Sequence, residues 1–554
     1  MKKQQVDVRK EGVSHVDCNR ISLCTASGIL LGLSFPPISI SVFACFGLVP
    51  FLIALKDVER YAPAIRYGYV TFLIFHVITL SWVGGYSHMN DAYMMVAGGI
   101  VVFIHPMLFV LPVLGYVLVK RALGEKAALL AFPFIWVGYE YSRSLTEWSF
   151  PWLTLGLSQS NDIERIQFSS TTGIYGLSFW IIVVNVVAYS LYKGLTTTRT
   201  TWSRNVGYAV TLAFVYLLPR VHGEFVLAGI PQRDASPISD KRKTITVGMV
   251  QSNVDPWQKW KLRGSEAMDV YLRLTTELIR HNANEKPEII LWPETAIPGF
   301  LLSSSDDQPM KRLHEYVNRN GVSILTGLPQ VLIYHDSSVA PPSAKRLPSG
   351  TRYDQFNAAA FIQREEKDVA WYGKMKLVPF AERVPYADSF HFLGFLQWDV
   401  GIGGWQIGRE RTVFQDERTG TRFSTLICYE SSYPEFVASF VREGAEFLGI
   451  ITIDSWWGRM SGAYQHKQHA VFRAVENRRW IARCAVGGIS AFIDPHGRTY
   501  DETELFTTAL LNRSIDRDNE LTFYSRYGDL FSKCCSATAG VCLILSGGRN
   551  FVAS

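Results

Sequence analysis

Long uncharged apolar runs fill roughly the first 220 residues of this chain and then give way to a soluble protein's mixture of residues. An apolar run of about 20 residues spans a hydrocarbon core as a helix, so a chain with several such runs is committed to a membrane before any other feature is weighed. The first run, from about Ile21 to Leu55, is broken at Phe35-Pro36-Pro37 and reads as two helices joined by a proline turn. Further runs cover about Tyr67–Tyr86, Ala92–Val119, Ala127–Tyr141, Thr172–Leu191 and Val206–Leu218, which makes seven spans over residues 21–220. Residues 530–546 are apolar apart from Lys533 and read as an eighth span. Residues 1–20 form a polar, lysine- and arginine-containing segment with no small-residue cleavage site, and are expected to precede an uncleaved first span.

The loops give an orientation. Lys56, Arg60 and Arg66 follow the second span, Lys120, Arg121 and Lys126 the fourth, and Lys193, Arg199 and Arg204 the sixth. Positive loops mark the cytoplasmic side, so the N-terminus is expected inside and the chain after the seventh span outside the cytoplasm. Only 19% of the 554 residues are charged, and the net charge of +6 is scattered. No basic stripe with interleaved aromatics is present, which excludes nucleic acid as an expected partner. The eight cysteines form no CxxC pair, and neither a disulfide framework nor a zinc site follows from their spacing.

From about 244 to 515, short β-rich runs alternate with amphipathic stretches, the pattern of an α/β domain. Strands are expected at Ile245–Val250, Glu288–Trp292, Val322–Leu328, Ala358–Ile362, Phe423–Ile427, Phe447–Thr452 and Ile489–Ile493, and helices at Ser265–Asn282, Pro309–Arg319 and Tyr464–Arg479. Three of these places set a reactive side chain at the end of an apolar segment. Glu294, in Leu291-Trp292-Pro293-Glu294, follows a strand and a proline that ends its ladder. A carboxylate there serves either as a general base or as a helix cap. Lys374, in Tyr372-Gly373-Lys374, offers a fixed positive charge to an oxyanion, or else a surface ion pair. Cys428 ends Phe423–Ile427; alone it is a small buried hydrophobe, but with the other two it completes an acyl-transfer set. Glu294 would take the thiol proton, Cys428 would attack a carbonyl, and Lys374 with the Tyr429 backbone N–H would hold the oxyanion.

Taken in order, WPET, YGKMKLVPFAE and ICYE resemble the Glu-Lys-Cys triad of the nitrilase, or carbon–nitrogen hydrolase, superfamily, and within it the apolipoprotein N-acyltransferase family. The resemblance extends through Ser34-Phe35-Pro36-Pro37, Phe150-Pro151-Trp152-Leu153, Gly173-Ile174-Tyr175-Gly176, Val250-Gln251, Gln465-His466 and Thr522–Asp529. It implies a multi-span helical membrane domain of seven or eight helices followed by a nitrilase-like αββα sandwich. It also implies acyl transfer from a phospholipid, by a ping-pong route through a Cys428 thioester, to the diacylglyceryl-cysteine at an apolipoprotein's N-terminus. The inner membrane with a periplasmic catalytic domain is the implied location. Glu382, Tyr429 and Glu430 match residues that support the triad, and Trp260 lies near a family tryptophan at the site. Lys376 falls at a variable position of the motif. Phe392, Phe395 and Trp398 sit in an aromatic segment that is either a lipid-guiding arm or core packing.

No cofactor or metal is expected: His466 and His469, three apart on a helix, read as a packed or solvated pair. The chain departs from the family pattern at Ile453 and Val486, where asparagine is usual. Two other readings compete with lipid N-acylation. One is a membrane-tethered amidase in which water resolves the thioester. The other is a non-catalytic lipid carrier, which would favour intramembrane charges, of which the apolar runs hold few.

Overall fold

A computed structural model describes residues 4–85, 91–197, 201–229, 244–261, 264–299, 308–336, 338–342, 344–364, 369–389 and 404–553. Two compact units divide the chain: residues 1–144, 151–230 and 529–554 form one, and residues 145–150 with 231–528 form the other.

The first unit is helical. Five of its described helices are long and apolar enough to cross a membrane: Tyr61–Gly84, Ala92–Leu123, Ile174–Thr196, Trp202–Ala228 and Leu530–Arg549. Two expected spans take another form. Val42–Gly47 and Val49–Ala54 are separate short helices, with Pro50 in the first turn of the second, so the second apolar run is not one continuous rod. Glu125–Ser142 is a single helix of 18 residues, but Glu125, Lys126 and Glu140 leave it short of an uncharged span. The last helix runs to Ala553, well past residue 546, and the first begins at Gln4, inside the polar segment.

Charge inside this unit is tied down rather than absent. Glu140 is fully buried and accepts hydrogen bonds from Trp136 Nε1 and the Leu155 N–H, both at 2.8 Å. Lys120 Nζ donates to the carbonyls of Leu55 at 2.9 Å and Val58 at 3.3 Å. Each charged group satisfies backbone or ring partners of its own unit, as a low-dielectric setting requires.

The second unit holds two sheets. One has the strands β1 (Thr244–Gln251), β2 (Ile289–Leu291), β3 (Ser323–Tyr334), β4 (Lys345–Arg346), β5 (Arg352–Ile362) and β6 (Ala370–Gly373), with β13 (Ala509–Asp516) at its far edge. The order is β13-β1-β2-β3-β5-β4, and β6 pairs with β5. The other sheet runs β12 (Thr499–Tyr500), β11 (Ala491–Ile493), β10 (Ile481–Ala485), β9 (Phe447–Thr452), β8 (Arg422–Ile427), β7 (Phe414–Gln415). In each sheet three central strands are parallel: β1, β2 and β3 in one, and β8, β9 and β10 in the other.

The sheets face one another. Gly449 on β9 approaches Leu291 and Leu325 so closely that an added Cβ would meet their methyls at 3.2 and 3.7 Å. Residues 447–452 are buried throughout, the near-continuous apolar run expected of a strand covered on both sides. Helix Gly264–His281 buries Met268, Tyr271, Leu274 and Leu278, spaced three and four apart, over the first sheet. Helix Gln308–Asn320 adds Met310, Leu313 and Val317 to the same core. Helix Gly462–Asn477 packs on β10 and β11 and against the helix Pro434–Arg442. The result is a four-layer αββα sandwich with the ends of β2, β6 and β8 delivering the residues of interest.

Candidate active site

Strand β8 is buried from Phe423 to Ile427, and the chain turns sharply at its end. Cys428 adopts φ +54°, the left-handed region, where a residue with a Cβ is held only by its surroundings at about 1–3 kcal/mol. Those surroundings are specific. Ser431 Oγ donates to the Cys428 carbonyl at 2.9 Å, and His466 Nε2 lies 3.0 Å from the same oxygen. Glu430 is fully buried, and its carboxylate gathers four donors: Ile427 N–H at 2.8 Å, Tyr372 O–H at 2.6 Å, Met375 N–H at 2.7 Å and Lys376 N–H at 3.2 Å. One carboxylate thus fastens the Cys428 turn to the segment that carries Lys374.

Lys374, one residue past β6, is 1% exposed and sits between two carboxylates. Its Nζ donates to Glu382 Oε1 at 2.8 Å and to Glu294 Oε1 at 3.2 Å. Asn357 on β5 donates from Nδ2 to the same two oxygens, at 2.7 Å to Glu294 and 3.0 Å to Glu382. Glu382 Oε2 accepts the Val378 N–H at 2.8 Å, closing the loop on which it sits. Beneath Glu294, β3 presents Gly327: a Cβ there would stand 2.4 Å from Thr295 N and 2.7 Å from Glu294 Cα. Only glycine lets the backbone of the carboxylate approach the sheet this closely.

The electrostatics divide the labour. Burial pushes the Cys428 thiol up, Glu294 pushes it further, and Lys374 only partly offsets both, so the resting group is the thiol. Thr452, whose hydroxyl donates to Asp454 Oδ1 at 3.1 Å, also works to lower it. Burial works against the Lys374 ammonium, but Glu294 and Glu382 outweigh it and hold the amine well above the usual lysine range. Burial lifts Glu430 to about 7 against the pull of the Ile427, Tyr372 and Met375 donors and the Lys374 charge. A neutral thiol, a cation held charged and a carboxylate close enough to act on one another's charge are the groups an acyl transfer through sulfur needs.

Of the other residues singled out in the sequence, Tyr429 packs its ring over Phe150 with centroids 6.4 Å apart and donates from its hydroxyl to the Ser149 carbonyl at 2.9 Å. Trp260 follows the one-turn helix Pro256–Lys259. Phe392, Phe395 and Trp398 lie outside the described residues. Ile453 and Val486 are both buried, and Val486 pairs through its backbone with Asn253 and Thr452. Among the described residues no group of three His, Cys, Asp or Glu side chains is arranged to hold a metal ion. His466 instead belongs to a buried network: its Nδ1 lies 2.8 Å from Asp454 Oδ1, and Arg483 Nη2 pairs with Asp454 Oδ2 at 2.9 Å.

Sequence reasoning passed over Asn357, Lys259 and the Asp454–Arg483 pair. Asn357 sits mid-strand in a run of apolar residues, and an amide in such a place was the available signal.

Comparison with known proteins covers both units. A family model described as the apolipoprotein N-acyltransferase N-terminal domain matches residues 27–187, and one described as carbon–nitrogen hydrolase matches residues 246–520. An apolipoprotein N-acyltransferase of Chlorobaculum tepidum is 34% identical over 533 residues, covering 95% of this chain and 96% of that protein. One of Geobacter metallireducens is 32% identical over 537 residues, covering 96% of each. Among solved structures, an amidase from Nesterenkonia sp. AN1 aligns with 54% of this chain and 99% of its own, at 16% identity and a TM-score of 0.37.

Proposed function

We propose that this chain, which belongs to the apolipoprotein N-acyltransferase family, moves a fatty acyl group from a membrane phospholipid through a Cys428 thioester to the N-terminal amine of a lipoprotein. It is an acyltransferase with a carbon–nitrogen hydrolase unit. The observation that carries the reading of the site is the Lys374 ammonium shared by Glu294 and Glu382, on a segment that Glu430 staples, through the next residue Met375, to the Cys428 turn.

In the first half-reaction Glu294 takes the proton from Cys428 Sγ as sulfur attacks the carbonyl carbon of a phospholipid ester. The carbonyl oxygen becomes an oxyanion that Lys374 Nζ and the Tyr429 N–H stabilise. Collapse breaks the ester C–O bond, Glu294 returns its proton to the departing oxygen, and a lysophospholipid leaves. In the second half-reaction the α-amino nitrogen of a diacylglyceryl-cysteine attacks the thioester, and Glu294 takes the amine's proton. Collapse now breaks the C–S bond, Glu294 gives its proton to the departing sulfur, and an amide and the restored thiol remain. Glu382 keeps Lys374 charged and placed, and Glu430 keeps the Cys428 turn in register with it. Trp260, Phe392, Phe395 and Trp398 would line the acyl path.

The alternation of positive loops supports a cytoplasmic-membrane protein with residues 244–515 on the periplasmic side and residues 21–220 with 530–546 in the bilayer. Two incubations test the reading. Labelled phospholipid added to purified protein should yield an acyl-thioester that is absent in Cys428→Ala. A diacylated lipopeptide added next should take the label as an amide. A thioester that only hydrolyses would replace the acyltransferase with an amidase, and no thioester at all would end the catalytic reading.

A further inference from the structure

Lys259 is a buried cation beside Glu294 that the mechanism leaves unused. It ends the single helical turn Pro256–Lys259, which is capped by Asp255 through a 2.7 Å hydrogen bond from the Trp257 N–H. Its side chain is 1% exposed. Nζ donates to the Glu294 carbonyl at 3.4 Å and to the Thr295 hydroxyl. The same ammonium lies 5.4 Å from the Trp260 ring centroid. Among the described residues no carboxylate stands within ion-pair distance of it.

This is an expensive place for a lysine. Burial drives the amine down to about 7, with only the charge of Glu294 acting the other way. The site it grips is itself under tension. Thr295 adopts φ +44°, an outlier for a β-branched residue, and Gly327 supports the same backbone from below. A strained backbone persists only where its neighbours over-determine it. The turn reaches the other side of the site too. Trp257 packs edge-on against Trp456 with centroids 5.1 Å apart. Trp456 belongs to the short turn Asp454–Trp457, whose Asp454 binds His466, and His466 touches the Cys428 carbonyl.

We propose that Lys259 is a positioning residue: it fixes the Glu294–Thr295 backbone, and with it the base, from a helical turn whose next residue, Trp260, lies against its ammonium. The inference rests on the reading of Glu294 as the base for Cys428 and makes no demand on which lipid is acylated.

The test uses the full chain in detergent micelles and iodoacetamide as the probe. The Cys428 thiolate displaces iodide to form a carbamidomethyl thioether, and peptide mass spectrometry reads that site apart from the other cysteines. Lys259→Met keeps the aliphatic stem and removes the donor, whereas Lys259→Gln, one bond shorter, keeps an N–H for the Thr295 hydroxyl, the nearer of the two partners. Misplacement of the base should slow alkylation about 10–100-fold in Lys259→Met and less than about 3-fold in Lys259→Gln, at unchanged thermal midpoints. Thioester formation from phospholipid should lose rate at saturation while KM stays within about 3-fold of wild type. Wild-type alkylation in Lys259→Met, or equal loss in both variants whatever their midpoints, overturns the proposal. A Glu294→Gln control sorts the failures: if it too reacts at the wild-type rate, the base assignment falls and the proposal falls with it. If that control is slow while Lys259→Met is not, the proposal alone fails.

Discussion

Lys374 Nζ lies nearer to Glu382, at 2.8 Å, than to Glu294, at 3.2 Å. The tighter partner is therefore the carboxylate that takes no proton in the proposed chemistry. This matters because a base locked in a short ion pair with the oxyanion cation would be a poor proton acceptor. Glu382 takes up the ammonium's first hydrogen bond and leaves Glu294 the weaker one. Removing Lys374 itself, as Lys374→Met, should cost roughly 100–1000-fold in thioester formation. Glu382→Gln keeps the shape but transfers the whole ion pair to Glu294, and a loss of about 10-fold is expected. Single-turnover acylation with labelled phospholipid measures both. An unchanged rate in Glu382→Gln would show that the carboxylate only closes its own loop.

Glu430 poses a different question, because its four donors come from both sides of the site. In Glu430→Gln one acceptor oxygen becomes an NH2 that faces N–H or O–H groups. Each donor left unpaired in this buried place costs about 1–3 kcal/mol. The Cys428 turn and the Lys374 segment lose their common fastening at the same time. The variant should unfold at a lower temperature in detergent and, where still folded, form thioester more slowly than its stability loss explains. Wild-type acylation at a lowered midpoint would separate the fastening from the chemistry.

Gly327 supplies a test that touches no polar group. The Cβ of Gly327→Ala would enter the space of Thr295 N, Pro293 O and Glu294 Cα. Overpacking of this kind typically destabilises by about 1–3 kcal/mol. The backbone that must give way carries Glu294, so acylation should fall by about 100-fold, as it does when a catalytic group moves by an ångström. A thermal scan and a single-turnover rate on the same sample decide it; a destabilised protein with a normal rate would place the strain elsewhere.

What the sequence made legible follows from how local each signal is. Glu294 and Cys428 each follow a strand read from period and composition, which locates such a residue directly, whereas Lys374 follows β6, a four-residue strand that the pattern did not mark. The structure brings Glu294, Lys374 and Glu382 into one hydrogen-bonded cluster, and joins the Lys374 segment to the Cys428 turn through Glu430. The α/β alternation was legible for the same reason, since β9 is apolar from Phe447 to Ile451 and β8 closes on Leu426 and Ile427, whereas the αββα layering was implied by the family resemblance. Asn357 and Lys259 were not, because their partners lie 63 and 35 residues away and no local pattern marks them. Strands β10 and β13 escaped as well: one is a five-residue stretch with Arg483 inside it, the other a half-buried edge with Asn512, Arg513 and Asp516. In the helical unit, composition located the apolar runs but did not reveal the break at Leu48 or the buried partners of Glu140.

The Asp454–Arg483 pair behind the Cys428 turn has a pH signature that the proposed chemistry lacks. Burial raises the Asp454 carboxyl, but Arg483 and then His466 outweigh it and hold it at about 2, against an ordinary 3.8. A depressed carboxyl stabilises the fold above its unfolded value and loses that contribution as pH falls through its folded value. Here the window runs from 3.8 down to about 2, and the difference is worth about 2 kcal/mol. Asp454→Asn removes the charge and leaves Arg483 buried without its carboxylate, a change that costs about 3–5 kcal/mol near neutrality. The gap between wild type and variant should therefore be widest above pH 4 and shrink by about 2 kcal/mol as pH approaches 2. Thermal midpoints in detergent across that range, on both proteins, measure the gap directly. A gap that stays constant with pH would mean that the Asp454 carboxyl is not held below its ordinary value in the folded protein.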